Sequence, residues 1–262
     1  MEVRAKKHLG QHFLKDQNIA RKITGSLLPV TQDVLEVGPG TGVLTRYLLE
    51  MPVSLRAVEI DAEAVEHLHA AFPGHRERIT RGDFLAIPLP RWFDGPFSII
   101  GNFPYNISSQ IFFKVLAHRE RVPQVVCMIQ KEVAERISSP HGNKSYGILS
   151  VLLQAYYTIE YLFTVNEQVF DPPPRVKSAV IRLTRNARAT LGCDERLFLA
   201  VVKSGFNQRR KTLRNSLKAL LPAGFSSDKL ALRPEQLPVD DFIALCNEIQ
   251  HPNTSAPCNN LN

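Results

Sequence analysis

Four short β-rich runs in the first half of the chain each end in residues that a strand does not itself require. Asp33-Val-Leu-Glu-Val37 runs into Gly38-Pro-Gly-Thr-Gly42, and the run over 53–60 closes on Glu59 and Asp61. The short run over 78–81 gives way to Gly82-Asp83-Phe84, and Phe97-Ser-Ile-Ile100 continues into Gly101-Asn-Phe-Pro-Tyr105. Helical patterns separate or follow them at 43–50, 62–72 and 109–118, the second broken by Pro73-Gly74. Another strand over 124–130 leads to a helix over 131–137 and a polar loop over 138–145. This alternation predicts an α/β domain built on a mostly parallel sheet flanked by helices. In such a sheet ligands occupy the crevice beyond the carboxyl ends of the strands, where all four terminal residue sets would gather.

The rest of the chain changes character. A basic arm over 1–15 carries Arg4, Lys6, Lys7 and Lys15 among His8, His12 and Phe13, a pattern that suits either a solvated tail or a contact surface. A short amphipathic helix within 16–28 stops at Pro29. After a helix over 147–156, two strands over 158–164 and 178–184 flank Phe170-Asp-Pro-Pro-Pro-Arg175 and predict an antiparallel edge. From Ala187 β-branched runs thin out and helical periodicity continues to about residue 250. The expected division is a sheet domain over 1–186, a small all-helical domain over 187–250 and a disordered tail over 251–262.

The strand ends carry distinct chemistry. Glycines after the first strand let the backbone turn and approach a ligand, but G-x-G-x-G lacks the spacing of the dinucleotide fingerprint and the Lys of a phosphate-binding Walker loop. Glu59 lies about 20 residues past Gly38, where an acid accepts both hydroxyls of a ribose, and Asp83 can accept from an adenine amine. Each acid alone also suits a helix cap or a solvated strand end. Asn102 offers one acceptor and one donor, Pro104 forces Phe103 towards extended backbone, and Tyr105 adds a flat aromatic face. Alone, that tetrapeptide equally suits a turn. In sequence with the other three strand ends, it points to an exocyclic amine on a planar ring.

Bulk properties set the class of partner. Net charge is +7 and hydrophobic residues make up 44%. The charge fits a polyanionic partner or a basic surface that binds nothing, and the apolar content suffices for a sizeable core. Four scattered cysteines, Cys127, Cys193, Cys246 and Cys258, form no C-x-x-C pair, which suits reduced thiols rather than a disulfide frame or a metal site. The N-terminus lacks a secretory pattern and no run is long enough to span a bilayer, so a cytoplasmic protein without a membrane partner or metal is expected.

Taken together, the E-x-G-x-G-x-G loop, Glu59, Asp83 and Gly101–Tyr105 resemble a class I S-adenosylmethionine (SAM) methyltransferase acting on adenine N6. Gly10-Gln-His-Phe-Leu14, Asn102–Ile107, Pro172-Pro-Pro-Arg-Val176 and Phe206-Asn-Gln-Arg-Arg-Lys-Thr-Leu-Arg-Asn215 resemble, more narrowly, the small-subunit rRNA adenine dimethyltransferase family. The resemblance runs from about residue 4 to 250. It implies a Rossmann-like methyltransferase domain with a helical C-terminal domain, and dimethylation of two adjacent adenosines near the 3′ end of 16S rRNA in the 30S subunit. By it, His12, Leu14, Gly38, Gly40, Glu59, Asp83 and Asn102 line the SAM site. Asn102, Phe103, Pro104 and Tyr105 hold the target adenine, with Phe170 on its other face. His12 stands where the family often has Asn, and Phe103 where Leu is common; the family uses the latter residue's backbone carbonyl.

Arg209, Arg210, Lys211 and Arg214 make a cationic stretch, read on a helix as a phosphate-contacting stripe or as a solvated basic face. A monomer is expected. The competing functions are a large-subunit rRNA adenine methyltransferase conferring antibiotic resistance and a non-catalytic RNA-binding assembly factor. DNA adenine methylation is disfavoured because Phe103 occupies the place of a proline.

Overall fold

The computed structural model describes residues 3–89 and 92–252. Most of the expected tail therefore lies outside the described residues. In chain order the elements are β1 (Phe13–Leu14), α1 (Gln17–Thr24), β2 (Asp33–Val37), α2 (Val43–Glu50), β3 (Ser54–Glu59), α3 (Ala62–Ala71), β4 (Ile79–Arg81), β5 (Phe97–Asn102) and α4 (Ser108–Ala117). They continue with β6 (Gln124–Gln130), α5 (Lys131–Ser138), α6 (Ile148–Gln154), β7 (Tyr157–Val165), β8 (Phe170–Asp171), β9 (Ser178–Arg185), α7 (Glu195–Asn207), α8 (Leu213–Ser216) and α9 (Val239–Gln250).

The chain divides into two compact units, one ending at Glu135 but regaining Tyr157–Asn186, the other formed by Arg136–Tyr156 and the described residues from Ala187. This corrects the expected division, which gave 136–156 to the sheet domain. The reason is apolar packing: α6 presents buried Val151, Leu152 and Leu153, and the buried ring of Tyr146 meets Phe206 of α7 edge-on at 6.0 Å. Phe206 in turn lies 6.1 Å from Phe242 of α9. Asp194 caps α7 by accepting from the Leu197 N–H at 2.7 Å.

The first unit is a seven-stranded sheet in the order β4-β3-β2-β5-β6-β9-β7. Strands β2 to β6 are parallel, and β9 enters antiparallel between β6 and β7. The antiparallel edge is as the sequence predicts. Strands β5 and β6 are buried on both faces, which is why they read as unbroken apolar runs. Alternate residues divide between the faces. Val34, Ile100, Val126 and Met128 join Ala20 and Ile23 of α1 and Leu44 and Leu48 of α2, whereas Ala57 and Ile79 pack with Leu68 of α3. A two-residue sheet, β1 against β8, pairs Leu14 with Phe170; strands this short left no periodic trace in the sequence.

The chain proceeds outward from β2 to β3 and β4, then returns to the other side of β2 as β5. That reversal opens a crevice between the carboxyl ends of β2 and β5.

Candidate active site

The glycine loop leaves β2 with Gly40 at φ +57°, a left-handed conformation that favours glycine. A Cβ there would stand 2.9 Å from the Phe13 ring, so the missing side chain also admits β1 to the crevice. The Gly40 N–H donates to Glu59 Oε2 at 3.0 Å, and the Asp61 N–H to Glu59 Oε1 at 2.9 Å. Glu59 is thus locked at the end of β3, each oxygen keeping one further lone pair. Burial pushes its pKa up against the opposing backbone hydrogen bonds.

Glu36, the penultimate residue of β2, joins the site although the sequence pattern alone does not mark it as a ligand. It is 1% exposed, and Thr45 Oγ1 donates to its Oε2 at 2.7 Å. Its Oε1 is buried with no partner among the described residues. Burial pushes its pKa up to about 8; the Thr45 hydroxyl opposes the shift and the charge of Glu59 adds to it. The available signal was an acid inside the apolar run Val34-Leu-Glu-Val37.

The basic arm turns out to wall the crevice. Lys6 reaches Asp61 at 2.6 Å and Glu63 at 3.1 Å, and the Gln11 side chain accepts from the Lys6 N–H at 2.8 Å. The His12 carbonyl accepts from Asn102 Nδ2 at 2.9 Å. His12 Nδ1 meets the Pro172 carbonyl at 2.8 Å. A carbonyl only accepts, so Nδ1 carries the proton.

At the end of β5, a Cβ on Gly101 would collide with the Val37 carbonyl, so glycine is what lets β5 end against β2. The bond from Asn102 Nδ2 to His12 leaves Oδ1 with no partner among the described residues. The Phe103 N–H is held by the Met128 carbonyl at 3.0 Å, and its buried ring packs 6.0 Å from Phe112. Its own carbonyl accepts no hydrogen bond among the described residues. Tyr105 is anchored through its hydroxyl to Ser178 Oγ at 2.5 Å, with the His12 ring 5.3 Å away and tilted by 32°. Burial raises the Tyr105 pKa despite that hydrogen bond.

His12, Leu14, Gly38, Gly40, Glu59, Asp83, Asn102, Phe103, Pro104 and Tyr105 line one cleft of about 880 Å³, a volume that includes space open to solvent. Glu36 joins them. Phe170 does not: it is 1% exposed, paired through β8 with Leu14 and packed into the core with Val165 and Val180. The expected place of Phe170 on the second face of a bound base is therefore not part of this cleft's lining.

The second unit corrects the geometry of the cationic stretch. No single helix carries it, because α7 ends at Asn207, Arg209 and Arg210 lie in a turn, and only Arg214 sits on the four-residue α8. The Leu213 N–H bonds the Leu232 carbonyl at 2.8 Å and its side chain is fully buried, so anchoring that residue breaks the helical run. Arg209 is half-buried, with contacts to the Asn143 carbonyl at 3.3 Å and Glu235 at 3.9 Å. Arg210, Lys211 and Arg214 are exposed.

The fold recurs in a dimethyladenosine transferase from Plasmodium falciparum, with a TM-score of 0.78 over 92% of this chain and 98% of that one at 24% identity. The 23S rRNA methyltransferase ErmE gives 0.65 over 91% and 99% at 26% identity. The parallel sheet with its antiparallel edge is thus a class I SAM-dependent methyltransferase fold. A model of the ribosomal RNA adenine dimethylase family matches residues 2–250. The ribosomal RNA small subunit methyltransferase A of Parabacteroides distasonis is 56% identical over 251 residues, covering 93% of each chain. This chain belongs to the ribosomal RNA adenine dimethylase family.

The cleft fits SAM on its own chemistry. A buried carboxylate oxygen without a partner forfeits roughly 1–3 kcal/mol, more when charged, and a cationic ammonium is the group that relieves it. The cleft offers this at Glu36 Oε1, a carboxylate with spare lone pairs at Glu59, and an exposed carboxylate at Asp83.

Proposed function

We propose that this chain dimethylates N6 of two adjacent adenosines near the 3′ end of 16S rRNA, acting as a cytoplasmic monomer on the 30S subunit. Bound SAM supplies an electrophilic methyl group on a sulfonium sulfur. Glu36 meets the ammonium of the cofactor, Glu59 its ribose hydroxyls and Asp83 its adenine amine. Gly38 and Gly40 give the backbone its close approach, and Leu14 contributes apolar wall.

One observation carries the reading. The hydrogen bond from Asn102 Nδ2 to the His12 carbonyl orients the amide and leaves Oδ1 open beside the unused Phe103 carbonyl. Adenine N6 is a poor nucleophile because its lone pair is delocalised into the ring. In the first transfer two acceptors on its hydrogens favour tetrahedral character and aim that lone pair; in the second, one hydrogen remains and one acceptor holds it. Positioning of this kind accounts for much of the rate in displacements. Tyr105, fixed through Ser178, supports one face of the base. Extracting the base from its stack costs a few kcal/mol. Each methylated N6 sheds its proton to water, so no general base is required. His12 acts here through both ends: its carbonyl orients Asn102, and its ring ties the segment containing Pro172 to the base side of the cleft. Arg210, Lys211 and Arg214 contact phosphates and position RNA without reading its sequence.

The test is methyl transfer from labelled SAM to small subunits lacking the modification, with large subunits in parallel and nucleoside mass spectrometry as readout. Dimethyladenosine confined to small-subunit RNA is the expected result. Label in the large subunit supports a 23S enzyme instead. RNA binding without label in either supports a non-catalytic assembly factor.

A further inference from the structure

Lys114 lies on α4, the helix that leads away from the Asn102–Ile107 loop. Its Nζ donates to the carbonyls of Phe84 at 2.6 Å, Leu85 at 3.0 Å and Ile87 at 2.6 Å. An ammonium has three hydrogens, and all three are accounted for on one short segment. The cation also stands 5.1 Å from the centroid of the Phe84 ring. That segment is a single tight turn hung from Asp83: the Ala86 and Ile87 N–H groups both reach the Asp83 carbonyl at 3.0 Å. The Asp83 side chain accepts from the Leu85 N–H at 2.8 Å. Donors therefore collect at the Asp83 end of the turn, and Lys114 closes the carbonyl end.

We propose that Lys114 is a positioning residue for the adenine end of the cofactor, clamping the turn that carries Asp83 to the helix that carries the base-binding loop. The turn's own hydrogen bonds fix its shape, but little packing fixes its place: Asp83 is exposed, and of Phe84–Ile87 only Phe84 is buried. Lys114 makes the position of the Asp83 carboxylate depend on α4, so the adenine-binding corner and the Asn102 loop move as one body. A compact cation with freely rotating donors suits three converging carbonyls, whereas the planar fork of arginine does not. The inference rests on the assignment of Asp83 to the adenine amine.

That dependence sets the test. S-adenosylhomocysteine and its inosine counterpart, which carries an oxygen in place of the exocyclic amine, are titrated calorimetrically against four folded proteins. The wild type is expected to prefer the adenosyl ligand by about ten-fold, the scale of one hydrogen bond to a charged group, since the inosine counterpart offers the Asp83 carboxylate an oxygen in place of a donor. Asp83→Asn should lose most of that preference. Lys114→Met should lose most of it as well, and the double variant should lose no more than Asp83→Asn alone, because the lysine acts through the aspartate. A Lys114→Met protein that keeps wild-type discrimination while Asp83→Asn loses it overturns the role of Lys114 alone. Discrimination retained by Asp83→Asn overturns the Asp83 assignment and the inference with it. Losses that add in the double variant also overturn it. If Lys114→Met does not fold by circular dichroism, Lys114→Arg carries the test. Its expected result is an intermediate preference, and full wild-type preference overturns the clamp.

Discussion

The two halves of the cleft are built on opposite electrostatic plans. The half proposed to take the cofactor holds Glu36 and Glu59, buried carboxyls whose pKa values burial raises. The half proposed to take the base holds neutral groups: an amide oxygen, a peptide carbonyl and a phenol whose own ionisation burial disfavours. The difference matches what each half receives. A cationic cofactor compensates buried carboxylates, whereas an aromatic amine needs acceptors that leave its nitrogen unprotonated. A formal negative charge beside Asn102 would favour a protonated product and slow its release of the proton.

The sharpest way to break this comparison is Asn102→Ala. Turnover should fall about a thousand-fold, the scale of losing one aligned polar group at a reacting centre, while SAM affinity measured by calorimetry stays within a few-fold. Near-normal turnover would mean that the open Oδ1 has no part in transfer. Glu59→Gln should show the converse: SAM affinity down about 10- to 100-fold, as for a lost charge-assisted hydrogen bond, with a much smaller effect on turnover at saturation. If both substitutions lowered affinity and turnover together, the two halves would not be separable.

Glu36 sharpens the same contrast through pH. Its folded-state pKa of about 8 lies above the ordinary 4.5, so between those values the folded, cofactor-free chain holds a proton that the unfolded chain has released. Its contribution to stability is complete below about pH 4.5 and is lost as pH rises towards 8, and Glu59 adds a slope of the same sign. Urea midpoints of the cofactor-free protein should therefore decline over that window, and Glu36→Gln should flatten the decline. Binding an ammonium against Glu36 at pH 7 should release a proton, seen as a buffer-dependent binding enthalpy that Glu36→Gln abolishes. The smallest effect is expected at Tyr105→Phe. It keeps the ring and removes only the bond to Ser178, so turnover should fall a few-fold, in line with one hydrogen bond of about 1 kcal/mol. A collapse equal to that of Asn102→Ala would assign chemistry, not support, to the hydroxyl.

Much of the cofactor half was legible because each residue sits at the end of a strand with a strong local signal. Apolar runs mark the strands, glycines mark the turn, and the topology of parallel sheets brings consecutive strand ends to one edge. The N-terminal arm was not legible in this way. Lys6, Gln11 and His12 look like parts of a basic tail until Asp61, Asn102 and Pro172 bond them from 50 or more positions away along the chain. The cationic stretch departs from a single helix for a related reason: helical spacing is a local pattern, whereas a buried Leu213 held to the Leu232 carbonyl interrupts the helix.

By itself, then, the sequence determined the chain order of the strands of the seven-stranded sheet and the helices between them, the turn at Gly38–Gly42 and the residue types available at each strand end, because these depend on side-chain periodicity and local backbone preference. Only the tertiary structure decided which atoms remain free to act. Asn102 keeps an open oxygen because His12 takes its amide hydrogen, and Glu36 keeps one because Thr45 satisfies only the other. Such a remainder is a property of partners distant in sequence. No local pattern encodes it.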